Sequence, residues 1–554
     1  MFLYLNVLLL IGFLGPLALG DILVATPKGT VRGRELLSPG NRTFYGFTGI
    51  PYAKPPVGEL RFQAPVEADQ WEGVINATQD PNECFQVNSD SERENENCLF
   101  VNVFTPTLNV SAKLPVVLGI YGGSFRSGSA GYGRGGPDWF VERDIVIVSF
   151  NYRIGPFGFL STNDIAIPGN AGLKDQQLAL KWTYDNIAQF GGDPKHITLQ
   201  GQSAGGASVT FQLLNLRNEG LIKAALVESG SAICPWAYLS GPNNLNYAQR
   251  LATVVNNNSS LGNNSGEFIK EFLQGVEARN IDAASAILYS QGIPLPTLEV
   301  EHDGAFLTQS MYEQLEAGQI LKVPIFIGIN SEEYISLAGN LENLQNIAKR
   351  YDSDNLKLVP RQFSGSNATL AAKLIKEAYV GSDTFSNKLG AMVQFYSDSS
   401  FTKSIIRFAE LYSHFSPAVY FYQFSYKGPM GIYEYAIDGA DNVAHGEEGH
   451  YMSITKAGSF DNTDYTKFPA SDVTTHWRLI ELWSNFYKYG NPTPTPVDLL
   501  ENITWPPATE DDPKGFVYLN INETLQLKYG PKSPKYEAWK EAFENYAQRP
   551  FVTY

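Results

Sequence analysis

Short, continuous apolar runs alternate along this chain with longer amphipathic stretches such as residues 174–189. Runs of this kind, in which apolar and polar residues do not alternate, indicate strands that are covered on both faces. Strand and helix in alternation predict an α/β fold with a central, mostly parallel sheet flanked by helices. The runs predicted to be buried strands are 114–121, 145–151, 196–200, 224–228, 323–330 and 418–424.

The 554 residues could make several domains, but no internal repeat or low-complexity linker divides them. We therefore expect a single domain at residues 21–554. It follows an expected signal peptide at residues 1–20. Residues 2–19 are nearly all apolar, and the small residues Ala18 and Gly20 stand where a signal peptide is cleaved. The alternative is an uncleaved membrane anchor, which the short length and the lack of a basic flank disfavour.

Sites for N-linked glycosylation are dense, which together with a signal peptide predicts a secreted, extracellular glycoprotein. No later segment is long and apolar enough for stable membrane insertion. The asparagines of the N-x-S/T sites are Asn41, Asn76, Asn109, Asn257, Asn258, Asn263, Asn367, Asn502 and Asn522.

Three cysteines and a strongly acidic composition add two further expectations. Cys84 and Cys98 bracket a short polar segment and should pair in an oxidising compartment, which leaves Cys234 as a buried, inert thiol. The formal net charge of -16 comes without any cluster of Lys or Arg. Such a chain has no attraction for phosphate backbones, so we expect no nucleic-acid partner.

The strongest local motif is Gly201-Gln-Ser-Ala-Gly205, which follows a predicted strand and precedes a predicted helix, residues 206–214. In that setting, G-x-S-x-G is a nucleophile elbow, a turn so tight that the residues flanking the serine must lack bulk. The helix N-terminus stabilises negative charge near the serine oxygen. Ser203 is therefore the predicted nucleophile.

A serine hydroxyl needs a base, and the chain has six histidines. His445 lies in an irregular polar stretch that follows the strand predicted at 418–424, where a loop-borne base is expected. His450 is the main alternative. His196 starts the elbow strand, at the wrong end of the sheet, and His476 is expected on a helix.

The base needs a carboxylate to orient it. Glu332 and Glu333 directly follow the strand predicted at 323–330, whose end lies at the same sheet edge as the elbow. The order serine, acid, histidine is the order of an α/β-hydrolase. Spacing alone does not choose between the two glutamates, and it is equally compatible with a solvated loop pair.

An oxyanion hole is the remaining requirement. The segment Tyr121-Gly-Gly-Ser-Phe125 follows the strand predicted at 114–121. The glycine pair Gly122 and Gly123 lets backbone N–H groups approach a ligand oxygen, and the amide of Ala204 would converge with them.

Ordered motifs spread over nearly all of residues 21–554 resemble the type-B carboxylesterase family, which includes insect carboxylesterases, juvenile hormone esterases and cholinesterases. The resemblance implies an α/β-hydrolase fold and ester hydrolysis without a metal or organic cofactor. The motifs are FTGIPYA (47–53), LRFQAP (60–65), ENCLFVNV (96–103), NYRIGPFGFL (151–160), GNAGLKDQ (169–176), FGGDP (190–194), ESG (228–230), LWSNF (482–486) and GNPTP (490–494).

The resemblance also implies roles for individual residues. Ser203, Glu333 and His445 match the catalytic triad. Four further groups match supporting parts of the family: the oxyanion donors Gly123, Ser124 and Ala204; Ser229, which supports the acid; the ion pairs Arg61 with Glu96 and Arg153 with Asp175; and the first disulfide, Cys84 with Cys98.

Departures from the family pattern bear on the acid and on the substrate. Tyr334 replaces the glycine after the acid, and a tyrosine adopts positive φ only at a cost. The Cys84–Cys98 segment lacks the tryptophan that cholinesterases place there, and Gln202 replaces their glutamate beside the nucleophile. Both changes remove attraction for a quaternary ammonium, so a neutral, hydrophobic ester is the expected small-molecule partner.

Two other functions are compatible with the same fold. One is adhesion, as in the neuroligin-like branch, whose members typically lose the nucleophile and carry a transmembrane stalk. The other is a slow esterase that mainly sequesters its ligand. The complete set Ser203, Glu333 and His445 favours catalysis. The sequence carries no signal for the oligomeric state.

Overall fold

The computed structural model describes residues 22–87, 89, 91–132, 136–259, 261–457 and 460–554. The predicted signal peptide, residues 1–20, lies outside the described residues. The strands are β1 (Ile22–Thr26), β2 (Gly29–Leu37), β3 (Thr43–Pro51), β4 (Val74–Asn76), β5 (Phe100–Thr105), β6 (Leu114–Ile120), β7 (Val146–Phe150), β8 (Gly192–Gln202), β9 (Ala224–Glu228), β10 (Ile325–Asn330), β11 (Val419–Phe424), β12 (Lys456–Ala457), β13 (Phe460–Asp461), β14 (Val517–Ile521) and β15 (Leu525–Tyr529).

Helices fill most of the connections between strands. They are α1 (Asp138–Val141), α2 (Gly155–Phe159), α3 (Ala171–Asn186), α4 (Ala204–Leu214), α5 (Gly241–Val255), α6 (Gly266–Gln274), α7 (Ala278–Leu288), α8 (Met311–Glu316), α9 (Leu341–Asp352), α10 (Gly365–Val380), α11 (Leu389–Ser397), α12 (Lys403–Ser413), α13 (Glu447–Met452), α14 (Ala470–Tyr489) and α15 (Lys535–Tyr546). A π-helical turn, Asp398–Thr402, joins α11 to α12.

The large sheet confirms the predicted α/β architecture. Its strand order is β1-β2-β3-β5-β7-β6-β8-β9-β10-β11-β14-β15, with β4 paired to β2. Every pair from β7 to β14 in this order is parallel, and antiparallel strands extend the sheet at both edges. The six runs predicted from apolar continuity are β6 to β11. Such a sheet needs helices on both faces, because each parallel crossover must pack against it.

The two faces of β10 show why its residues are all apolar apart from the last. Ile325, Ile327 and Ile329 belong to the core beneath α12. Phe326 points to the opposite face, where the Trp483 ring of α14 lies 4.6 Å from it, centroid to centroid. A strand packed on both sides leaves no position for a polar residue until its carboxyl end, where Asn330 and the two predicted candidate acids, Glu332 and Glu333, follow.

The predicted disulfide joins Cys84 to Cys98, and two ion pairs fasten neighbouring loops. The Arg61 guanidinium donates to both carboxylate oxygens of Glu96, at 2.6 and 2.7 Å. Arg153 binds Asp175 in the same bidentate way, at 2.8 and 2.7 Å, and all four side chains are largely buried. Bidentate geometry with little exposure makes these pairs anchors of the loops around the sheet edge.

We expect a peptide map without reduction to contain Cys84 and Cys98 in one linked species. Cys234 is buried, and burial raises the pKa of its thiol to about 11, so it should be alkylated only after unfolding. Replacing Cys84 and Cys98 with serine should lower the free energy of unfolding by about 3 kcal/mol, because the short loop is no longer closed in the unfolded chain. A linkage between Cys234 and either partner would contradict this arrangement.

Lys403, at the start of α12, is buried without a carboxylate partner among the described residues. Its ammonium lies 5.2–5.4 Å from the ring centroids of Trp539, Phe543 and Tyr554. Burial lowers its pKa from 10.5 to about 7. The unfolded chain therefore binds more protons than the folded one between about pH 7 and 10.5. The buried lysine lowers the free energy of unfolding by its full amount below about pH 7, and this loss disappears as the pH rises to about 10.5.

Lys403→Met should raise the free energy of unfolding at pH 6 by about 1–4 kcal/mol, because it removes a buried charge and keeps the volume. The gain should shrink as the pH rises from about 7 to 10.5. Urea unfolding at several pH values measures it. Lys373→Met, at a side chain that is 73% exposed, is the control and should stay within about 0.5 kcal/mol of the parent protein. A Lys403→Met variant that is less stable at pH 6 would contradict the account.

Candidate active site

Ser203 occupies the tip of the turn between β8 and α4, with φ 60° and ψ -124°. A Cβ at Gly201 would lie 2.3 Å from the Gly205 carbonyl oxygen, and one at Gly205 would lie 2.0 Å from the Ile120 oxygen. Only glycine fits at either position. The surrounding main chain thus holds Ser203 in a sparsely populated conformation at the carboxyl edge of the sheet. The serine is 9% exposed.

His445 lies beside this turn, in the loop that precedes α13. Its Nδ1 is 2.6 Å from Oε2 of Glu333. A carboxylate can only accept, so Nδ1 carries the proton and Nε2 keeps its lone pair. This is the tautomer that a general base requires.

Two donors hold the Glu333 carboxylate on its other oxygen. The Ser229 hydroxyl donates to Oε1 at 2.7 Å, and the main-chain N–H of Asn330 donates to the same atom at 2.8 Å. Glu333 is 2% exposed. Three hydrogen-bonding partners fix the orientation of this buried carboxylate, and the carboxylate in turn fixes the orientation of the imidazole.

The sequence alternatives to Glu333 and His445 lie elsewhere. The Glu332 carboxylate points away from His445 and accepts from the Asp441 N–H at 3.1 Å; burial raises its pKa to about 7. Tyr334 has φ -109°, so the loop never needs the positive φ that a glycine would offer. The His450 ring lies against Tyr433, and His476 on α14 contacts the Tyr451 carbonyl.

The segment Gly122–Ser124 turns at the end of β6, where Gly123 and Ser124 both have positive φ, 115° and 56°. A Cβ on Gly123 would lie 2.1 Å from the Ser127 oxygen. Among the hydrogen bonds of the described residues, none uses the N–H of Gly123, Ser124 or Ala204. Stacking of Tyr121 on Tyr152, with centroids 4.4 Å apart, fixes the start of the turn.

In this structure Nε2 of His445 faces Gln202 rather than Ser203. The Gln202 amide nitrogen lies 3.1 Å from it. No hydrogen bond of the described residues involves the Ser203 hydroxyl. Resting hydrogen bonds at a catalytic serine often form only with substrate, so this geometry is compatible with nucleophilic catalysis.

Aromatic rings form the wall beside His445. The Phe401 ring, in the π-helical turn, lies 4.6 Å from the imidazole centroid. Trp236 and Tyr334 flank Phe401 at 5.2 and 5.5 Å. This wall offers a substrate apolar contact and no charge.

Two further carboxyls are buried near the site. Glu228 accepts from Trp483 Nε1 at 2.9 Å, and Glu448 accepts from Asn330 Nδ2 at 2.5 Å. Burial raises the pKa of both, and for Glu448 the neighbouring carboxyls Glu228 and Glu333 raise it further. Burial therefore shifts both groups toward their neutral forms beneath the site.

Sequence reasoning did not assign roles to Phe401 and Asn330, or connect Gln202 with His445. Phe401 is a single aromatic residue in the polar stretch 397–404, and nothing in that pattern marks it as a site residue. Asn330 had a signal, as a polar residue at the end of a buried strand. Its Nδ2 also donates to the Ala444 carbonyl at 2.6 Å, which fixes the loop just before His445.

The elbow, the flanking imidazole and carboxylate, and the turn at the end of β6 define a serine hydrolase of the α/β-hydrolase fold. Residues 20–539 match the model of the carboxylesterase family. The chain belongs to that family and is a serine carboxylesterase.

Relatives extend over nearly the whole chain. Juvenile hormone esterase of Tribolium castaneum is 32% identical over 90% of this chain and 88% of the relative. Venom carboxylesterase-6 of Apis mellifera is 31% identical over 91% of each. The crystal structure of juvenile hormone esterase from Manduca sexta, with OTFP covalently attached, superposes with a TM-score of 0.80 at 26% identity, over 95% of this chain and 100% of that one.

Two negative features of the described part of the chain concern membranes and metal ions. No helix there combines the length and the apolarity that crossing a bilayer requires. No three His, Cys, Asp or Glu side chains in those ranges converge where a metal ion could bind.

Proposed function

We propose that the chain is a secreted carboxylesterase that hydrolyses neutral, hydrophobic esters through Ser203, His445 and Glu333. The 2.6 Å contact between His445 Nδ1 and Glu333 Oε2, beside the elbow serine, carries this proposal. It leaves the lone pair of His445 Nε2 available as a base beside the Ser203 turn.

The chemistry follows from these positions. His445 Nε2 takes the Ser203 proton while Oγ attacks the ester carbonyl carbon. The N–H groups of Gly123, Ser124 and Ala204 receive the negative oxygen of the tetrahedral intermediate. The carbon–oxygen bond to the alcohol then breaks, and the alcohol leaves with the proton from His445.

Water completes the cycle by the same route. His445 accepts a proton from water, whose oxygen attacks the acyl carbon of the ester on Ser203. The second tetrahedral intermediate releases the acid, and the proton returns to Oγ. Throughout, Glu333 remains a carboxylate and stabilises the imidazolium.

The aromatic wall of Phe401, Trp236 and Tyr334 supports a hydrophobic, uncharged substrate. A screen of purified protein should include aryl acetates, long-chain acetates, conjugated methyl esters and choline esters. We expect turnover of neutral esters and little of choline esters. A preference for choline esters would contradict the substrate class, and no turnover of any ester would contradict the function.

Secretion rests on the apolar residues 2–19 and on the accessible glycosylation sites. Eight of the asparagines are exposed, and Asn522 is half-buried. Protein expressed in insect cells should appear in the medium with Asp21 as its N-terminus and should lose mass on deglycosylation. Retention in the cell pellet with residues 1–20 attached would support the membrane-anchor alternative instead.

A further inference from the structure

Gln202 is the last residue of β8, and its side chain reaches across the elbow to the catalytic imidazole. The amide nitrogen lies 3.1 Å from His445 Nε2, while His445 Nδ1 lies 2.6 Å from Glu333. Since Nδ1–H donates to the carboxylate, Nε2 can only accept in the neutral ring. The Gln202 N–H therefore donates to Nε2. The two hydrogen bonds run in the same direction, from Gln202 through the imidazole to Glu333.

Two glycines make the space in which the Gln202 amide lies. A Cβ on Gly446, which has φ 74°, would lie 3.2 Å from the amide nitrogen. A Cβ on Gly122 would lie 3.3 Å from the amide oxygen and 2.4 Å from the Gln202 carbonyl oxygen. The amide is thus held between the oxyanion turn and the histidine loop, with its nitrogen toward the ring. Gln202 also lines a cavity of about 260 Å³.

We propose that Gln202 is a positioning residue that keeps the resting His445 neutral, by donating to the nitrogen that must accept the Ser203 proton. A hydrogen bond to the neutral form of a base favours that form. A carboxylate at the same position would accept only, so it would favour the imidazolium. An apolar side chain would favour neither state.

The other titratable groups around His445 are the same in proteins that differ only at position 202. Glu333 contacts the ring directly from the loop after β10. Glu447 and Glu448 lie on α13, where Glu447 is paired with Lys427 at 2.9 Å, and Glu228 ends β9. The π-helical turn places the uncharged Phe401 ring against the imidazole, and the Asp398 carboxylate of that turn accepts from the Tyr379 hydroxyl at 2.7 Å. A change confined to Gln202 therefore isolates the effect of its amide.

The test compares the wild-type protein with Gln202→Met and Gln202→Glu, which have similar volumes. The inference rests on the proposed esterase function, so kcat/KM for an aryl acetate is measured from pH 4.5 to 9. Active sites are titrated with an organophosphate, and melting curves establish that each variant is folded. The readout is the midpoint of the acid limb, which a merely structural role would not move.

We expect the midpoint to rise in the order wild type, Gln202→Met, Gln202→Glu. The Glu variant should lie about one to three pH units above wild type, because an opposite charge then stands within 4 Å of the imidazolium. Midpoints that coincide within 0.3 unit, a Met variant at or below wild type, or a Glu variant at or below the Met variant would overturn the inference. A wild-type protein without esterase activity would instead overturn the proposed function.

Discussion

Ser203→Ala is expected to lower kcat for an aryl acetate by about a million-fold while leaving the fold intact. The loss is this large because the base has nothing to activate once the hydroxyl is gone, and only the oxyanion donors and binding contacts remain. The alanine keeps the backbone of the elbow, whose shape depends on Gly201 and Gly205. Melting temperature and circular dichroism should therefore stay close to wild type.

Ser208→Ala is the matched control for this experiment. Ser208 lies on the same helix, α4, and is buried, and its hydroxyl accepts from Gln176. Its kcat should remain within about threefold of wild type, because it touches no reacting atom. Equal losses in the two variants would assign the effect to the packing of α4, and wild-type activity in Ser203→Ala would exclude Ser203 as the nucleophile.

Glu333→Gln should lower kcat by about ten-thousand-fold with little change in thermal stability. An amide at this position can present its N–H to Nδ1, which then holds the imidazole in the wrong tautomer. The volume is unchanged, and the amide oxygen can still accept from the Ser229 hydroxyl. The effect should therefore appear in kcat rather than in folding.

Glu332→Gln is the neighbouring control, and it should be nearly silent in kcat. Its carboxylate accepts from the Asp441 N–H, an interaction that the amide oxygen of glutamine preserves. If Glu332→Gln were the damaging change, the acid would be Glu332 and the loop would have to rearrange in solution. If both variants kept full activity, the acid would come from another element and the proposed triad would be wrong.

The sheet could be predicted because parallel strands buried on both faces must be continuously apolar. The six predicted runs are strands β6 to β11, and only their ends differ. β8 starts at Gly192 rather than at 196, because Gly192 pairs with Leu114 of β6 ahead of a shift in register. Local composition marks where a strand is buried, while its full length depends on which neighbour it meets.

The elbow could also be predicted, since its constraint is local and involves five consecutive residues. The contacts of Gln202 and Phe401 with His445 could not. Gln202 and His445 are 243 residues apart, and they meet only because β8 and the loop before α13 end at the same sheet edge. The burial of Lys403 could not be predicted either, because a lysine without a carboxylate partner is rarely buried.

Covalent labelling of Ser203 is the most direct test of the proposed mechanism. Wild-type protein is treated with an organophosphate at a stoichiometric amount, digested and mapped by mass spectrometry, with Ser203→Ala and Ser208→Ala as parallel samples. The account predicts one adduct, on the peptide that contains Ser203, in the wild-type and Ser208→Ala proteins and none in Ser203→Ala. An adduct at any other residue of the wild-type protein, or one that persists in Ser203→Ala, would contradict it.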